Sequence, residues 1–296
     1  MGRLHLGRNQ AKALAVEPRV QQSPLMELCC LRMSAKASYR QAERDVELLT
    51  GIGVSAKTQE RIVERHAIDA APVEEPVEEV ALDGGMVRLI AAPGEGSRWK
   101  QYKAVRLNGN GMGMAWFEQN QQLIDWLQSL PMMSLFYCLG DGHPGIWSLF
   151  SQLERAQISD EILDWFHLIE NLHKVDASDE QLAKAESLLW WGKVEQTLTL
   201  MSQINTHRSH CFRAYIQNHR GRLPNYGYYQ MEGWPISSSS VESWIKQIDE
   251  RLQITGARWK PERVPQMLAL RGCLKSHTTR SNQHVSRLSI TRILAM

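Results

Sequence analysis

The sequence lacks several signatures that would place it at once. Its five cysteines, at 29, 30, 138, 211 and 273, form no Cys-x-x-Cys pair and no zinc-ribbon spacing. Cys29 and Cys30 are adjacent and cannot easily share one metal ion, so all five read as reduced thiols of a cytosolic protein. No apolar run approaches the roughly 20 residues of a membrane span. The N-terminal M-G-R-L-H-L-G-R has no signal-peptide apolar region. These absences lead to the expectation of a cytoplasmic protein without a membrane partner. The segment G109-N-G-M-G-M114 is followed by no Lys-Ser/Thr and so is not a nucleotide-binding loop; it reads as a turn joining strands.

Charge is nearly balanced overall, at +2 with a pI near 8.3, short of a dedicated basic domain. Its distribution is uneven. Residues 256–296 carry eight Arg or Lys against the single acid Glu262, whereas Asp69 to Asp83 holds six acids and no base. Blocks of this kind are solvated faces, linkers or partner-binding tails. With 296 residues and 43% hydrophobic content, the chain is long enough for one large domain or two smaller ones.

Helical spacing of Tyr39, Ala42, Val46 and Leu49 predicts a helix over 35–50, broken by Gly51. Ser55 is a candidate N-cap for a second helix running to about His66, with Ile62 and Val63 inward. Two short helices across a Gly turn have the shape of a helix-turn-helix, a shape that plain helical hairpins share. A Pro- and Glu-rich linker follows. Strands are expected at Val80–Leu82, Val87–Ala91, Tyr102–Leu107 and Leu135–Leu139, with Asp83-Gly-Gly as a hairpin turn between the first two. The run 135–139 is continuously apolar, the pattern of a strand buried on both faces. Residues 117–130 read as a helix, 161–167 as a strand entering a helix, 178–220 as several helices and 222–230 as a turn-rich connection. From Ser238 to Leu252 a strong helix is expected, capped by Ser, with Glu242 early and Val241, Trp244, Ile245, Ile248 and Leu252 inward.

Three acids stand at structural punctuation: Asp83 at the end of the first strand, Asp141 at the end of a buried one, Glu242 near a helix start. Each has a plain reading as a turn or helix-start residue. Brought together they would suit Mg²⁺ or Mn²⁺, hard ions that take oxygen ligands. Two such ions can activate an attacking oxygen and stabilise a leaving one, the chemistry of cutting and joining phosphodiesters. In F136-Y-C-L-G-D141-G-H-P-G-I-W147 the glycines on either side of Asp141 permit a sharp turn and a close approach of a ligand.

The combination of G140-D-G-H-P-G-I-W147, D164-W-F-H167 and V241-E-S-W-I-K-Q247, with A81-L-D-G-G85 before them and R251-L-Q-I-T-G-A-R-W-K-P-E262 after, resembles the DDE transposases of bacterial insertion sequences. The likeness is strongest to the ISKra-type family common in cyanobacteria and covers about residues 28–272. It implies an RNase H-like mixed sheet core, of α/β class, with an all-helical insertion, preceded by a small helix-turn-helix-like segment. The domain expectation is a loose segment at 1–25, a helical hairpin of possible DNA-binding role at 26–68, an acidic linker at 69–78, a catalytic core at 79–262 with its insertion at about 176–236, and a basic tail at 263–296.

The resemblance also implies a metal-dependent enzyme that cleaves DNA and transfers strands. Asp83, Asp141 and Glu242 are carried over as the catalytic, metal-binding acids for two Mg²⁺ or Mn²⁺ ions. Asp164 and His167 match an acid-x-x-His motif of related transposases; three residues apart on a helix, they share a face, and either orient groups near the site or form a structural hydrogen bond. His143 either touches DNA phosphate or stabilises its turn. Lys246, Arg258 and Lys260 complete the expected DNA-binding or supporting set. The implied partners are DNA, at element ends and target, and further copies of the chain, in a nucleoid-associated setting. The chain departs from relatives in lacking their longer N-terminal region with paired cysteines, and it drifts from the family's ending after Cys273. A second reading is therefore a truncated, non-catalytic remnant that binds element DNA.

Overall fold

The computed structural model describes residues 7–13, 22–66, 68, 72–92, 94–109, 111–153 and 158–276. The expected loose segment and basic tail lie largely outside them. In chain order the elements are α1 (Arg8–Ala13), α2 (Pro24–Lys36), α3 (Tyr39–Thr50), α4 (Ala56–Arg65), β1 (Val77–Leu89), β2 (Arg98–Leu107), β3 (Gly113–Trp116), α5 (Asn120–Gln128), β4 (Met132–Gly140), α6 (Pro144–Ser151), β5 (Ile158–Leu163), α7 (Trp165–Leu172), α8 (Asp179–Trp190), α9 (Val194–Ser202), α10 (His207–Asn218), α11 (Tyr226–Met231), α12 (Ser239–Leu252) and α13 (Val264–Lys275). The described residues divide into two compact units. One draws on 1–70, 88–98 and 248–296, the other on 71–87 and 99–247.

The first unit is mainly helical. Ser38 interrupts the run expected as one helix over 35–50: its side chain accepts from the Gln41 backbone N–H and caps α3, so α2 ends at Lys36. Gly51, at φ 70°, closes α3 in the left-handed conformation that glycine adopts without penalty. Leu49, expected inward, is 68% exposed. Ile62 and Val63 of α4 are buried as expected, and Ser55 caps that helix. α13 occupies the start of the expected basic tail, with Val264, Met267 and Leu268 in the core. Two buried arginines satisfy the carbonyls at the end of α2. Arg251 Nε donates to Ser34 O at 2.6 Å and Arg271 Nη1 to Ala35 O at 2.9 Å. Arg251 also lies over the rings of Tyr39 and Trp259, 5.2 and 4.9 Å from their centroids. None of the five cysteines is in a disulfide.

The second unit is built on a five-stranded mixed sheet of order β3-β2-β1-β4-β5, so the protein is of α/β class. β1, β4 and β5 are parallel, and β2 with β3 is antiparallel. Parallel neighbours need helical crossovers, which α5 and α6 provide. β4 is buried from Phe136 to Gly140, but Leu135, expected inside, is 43% exposed. Between α7 and α12 the described elements are helical, and α11 falls where a turn-rich connection was expected.

Asp83-Gly84-Gly85 does not turn the chain. β1 runs unbroken through it, because the glycines serve close approach rather than a left-handed backbone. A Cβ on Gly84 would lie 2.1 Å from the Gln101 side chain, and one on Gly85 would lie 2.1 Å from the Tyr102 ring. Tyr102 is fully buried and has no room to retreat. Gly85→Ala should therefore lower stability by about 2 kcal/mol, the usual cost of overpacking. Gly96→Ala is the neutral control, since nothing lies within 4 Å of the added carbon. Equal melting temperatures for the two variants would show that Tyr102 moves aside.

Candidate acid site

The parallel strands bring the first two acids together. Ala81 of β1 is paired with Leu139 of β4, and two residues further along each strand stand Asp83 and Asp141. Asp83 thus lies inside a strand rather than at its end, while Asp141 follows β4 directly. Its Oδ1 accepts from the His143 backbone N–H at 2.8 Å, and Gly142 takes φ 95° to complete the turn. A Cβ on Gly142 would also sit 2.8 Å from Tyr215 Oη, so the position requires glycine on both counts. His143 caps α6 by accepting from Gly145 N at 3.1 Å, which is the turn-stabilising role.

Burial pushes the Asp83 carboxyl up to about 6, and the negative charges of Asp141 and Glu242 add to the rise. The Gly84 N–H, 2.6 Å from Oδ1, and His167 oppose it. These couplings put Asp83, Asp141, Glu242 and His167 in one electrostatic neighbourhood.

Asp164 holds the other side of the site. It follows β5, and its backbone N–H donates to Gly140 O at 2.9 Å. The side chain is fully buried and accepts four hydrogen bonds. Oδ1 takes the His167 backbone N–H at 2.7 Å and His167 Nδ1 at 3.1 Å. Oδ2 takes the Ser238 backbone N–H and the Ser238 hydroxyl, the latter at 3.0 Å. One carboxylate therefore stands at the start of two helices, α7 and α12, where the macrodipoles favour negative charge. Burial alone would raise its pKa, but the bonds from His167 and Ser238 outweigh that and lower it. Ser238, expected as a side-chain cap, instead accepts the first helical bond through its carbonyl, from Glu242 N at 3.2 Å, and gives its hydroxyl to Asp164.

Through this arrangement Asp164 sets both His167 and Glu242, one turn beyond each junction. His167 Nδ1 is 3.5 Å from Glu242 Oε1. The hydrogen bond to Asp164, assisted by the charges of Glu242 and Asp141, raises the imidazole to about 9 against the opposing effect of burial. The ring is accordingly a cation at neutral pH.

Ligand atoms of Asp164, His167 and Glu242 all lie within 4.8 Å of one another, a group able to hold a metal ion. Asp83 and Asp141 are not part of it. In that group the Asp164 oxygens already carry four donors and His167 Nδ1 is committed to Asp164, so Glu242 has the free ligand capacity. Asp83, Asp141 and Glu242 offer the carboxylate oxygens that hard divalent cations take, but among the described residues they do not form such a close group. The raised Asp83 carboxyl owes most to burial, and the negative charges of Asp141 and Glu242 add to it.

The other expected residues take plainer places. Lys246 is exposed on α12, one turn beyond Glu242. Arg258 and Lys260 belong to the first unit, where they are exposed and line a cavity of about 280 Å³ with Tyr39, Arg251 and Trp259. Sequence reasoning missed Lys103 of β2, whose positive charge is coupled to Asp141 and Asp83. It also missed Tyr215 and His219 of the helical block. Burial raises the Tyr215 phenol, with Asp141 adding to the effect, and burial lowers the His219 imidazole. Only Lys103 carried a sequence signal, as a charged residue within the expected strand 102–107. Comparison with protein-family models gave no match for this chain, and comparison with curated proteins gave no significant one.

Proposed function

We propose that the chain is a DDE transposase, cutting and joining DNA in a metal-dependent reaction at Asp83, Asp141 and Glu242. The observation that carries this reading is the meeting of Asp83 and Asp141 on neighbouring parallel strands, in electrostatic reach of Glu242. The sheet order β3-β2-β1-β4-β5, with its parallel and antiparallel halves, is compatible with an RNase H-like core.

Asp83, Asp141 and Glu242 would hold Mg²⁺ or Mn²⁺, which supplies Lewis-acid activation and charge stabilisation for phosphodiester chemistry. The chain's own residues do the positioning. Asp164 fixes the starts of α7 and α12, so Glu242 is presented by a rigid helix rather than a loop. His167 keeps its proton and sets positive charge beside Glu242, which moderates repulsion within the acid cluster. The Asp141 turn, shaped by Gly142 and His143, leaves its second oxygen for a ligand. DNA is the partner this chemistry requires.

A supercoiled plasmid incubated with the purified chain tests the reading. Open-circular or linear product is expected with Mn²⁺ and none with EDTA. A chain that binds the plasmid yet leaves it supercoiled would be the non-catalytic remnant.

A further inference from the structure

Three carboxylates repel the phosphate that must approach them, so a DNA-cutting site gains from a cation that meets the substrate rather than the acids. Among the described residues no arginine forms an ion pair with Asp83 or Asp141, but one lysine stands near them. Lys103 Nζ is coupled to Asp141 and, more weakly, to Asp83, yet among the described residues it forms no ion pair with a carboxylate. Its hydrogen-bond partner is neutral: Nζ donates to Gln101 Oε1 at 2.9 Å. An ammonium has three donors, so two remain for a ligand. The group also lies at the start of α6, 3.8 Å from where a Cβ on Gly145 would be, within four residues of Asp141 in the chain. Helix and ammonium thus offer positive potential at one place.

We propose that Lys103 is the phosphate-binding cation of the acid site, donating from Nζ to a nonbridging oxygen of the DNA phosphodiester held beside Asp141. This rests on the strand-transfer reading above. Gln101 pre-orients the amine. The charges of Asp141 and Asp83 oppose the lowering of its pKa by burial.

The test compares the parent chain with Lys103→Gln and Lys103→Arg, in plasmid nicking with Mn²⁺ and in Mn²⁺ binding without DNA. Lys103→Gln is expected to nick about 100-fold more slowly, the usual effect of losing one donor to developing phosphate charge. It should bind Mn²⁺ at least as tightly as the parent, because a positive charge has left the acids. Lys103→Arg should restore most of the rate. Nicking by Lys103→Gln at the parental rate overturns the assignment and leaves the transposase reading intact. Joint loss of Mn²⁺ binding and nicking in Lys103→Gln also overturns it, making the residue a prop of the acids. A parent that neither nicks nor binds Mn²⁺ overturns both.

Discussion

Asp141→Asn is expected to abolish nicking, by about a thousandfold or more, in a chain that still folds and still binds DNA. The amide has nearly the shape of the carboxylate. Its oxygen can still accept from the His143 backbone N–H, which needs no charge, so the turn and the cap of α6 survive. The negative charge that neutralises a divalent cation is lost. With it goes a charge facing incoming phosphate, so DNA affinity should hold or rise at fixed salt, and salt must be fixed because phosphate binding depends steeply on it. Nicking rate, melting temperature and DNA affinity are read on one preparation. Parental nicking by Asp141→Asn would remove this carboxylate from the chemistry, and with it the assignment of Asp83 and Glu242.

Asp164→Ala is expected to cost about 3 kcal/mol, or roughly 10 °C in melting temperature, because two buried and two half-buried donors lose their acceptor at once. The interaction with His167 has a definite pH dependence. His167 has its pKa raised to about 9 in the fold, so its contribution is complete below its ordinary value of 6.5 and is lost as pH rises through 9. The Asp164 carboxyl is held low, so its contribution is present above its ordinary value of 3.8 and is lost as pH falls through its lower folded value. The two windows overlap between about pH 4 and 6.5. His167→Gln should therefore melt well below the parent at pH 5.5, with the gap narrowing by pH 10. A gap that stays constant to pH 10 would mean that the imidazole is held neutral and only packs. Nicking measured on the same variant separates roles: normal rate per folded molecule would make the pair purely structural.

How far these residues could be read from the chain differs from one to the next. Helical periodicity with Ser55 as cap located α4, and the apolar run before Gly140 located β4, because local spacing and capping are written in consecutive residues. The sequence alone also singled out Asp83, Asp141 and Glu242 as carboxylates worth bringing together. It could not bring them together: they are 58 and 101 residues apart, and only the register of β1 against β4 makes Asp83 and Asp141 neighbours. The misreading of Asp83-Gly-Gly as a turn has the same origin. Glycine serves turns and close contacts alike, and what decided here was the bulk of Gln101 and Tyr102 on another strand. Ser238 read as a helix cap until Asp164, 74 residues away, took its hydroxyl. Lys103 carried no motif of its own; its meaning comes from the carboxylates that the sheet places beside it. Local chemistry fixes where elements start and which side chains can do chemistry, whereas charge coupling and buried hydrogen bonds depend on distances that exist only after strands pair and helices dock.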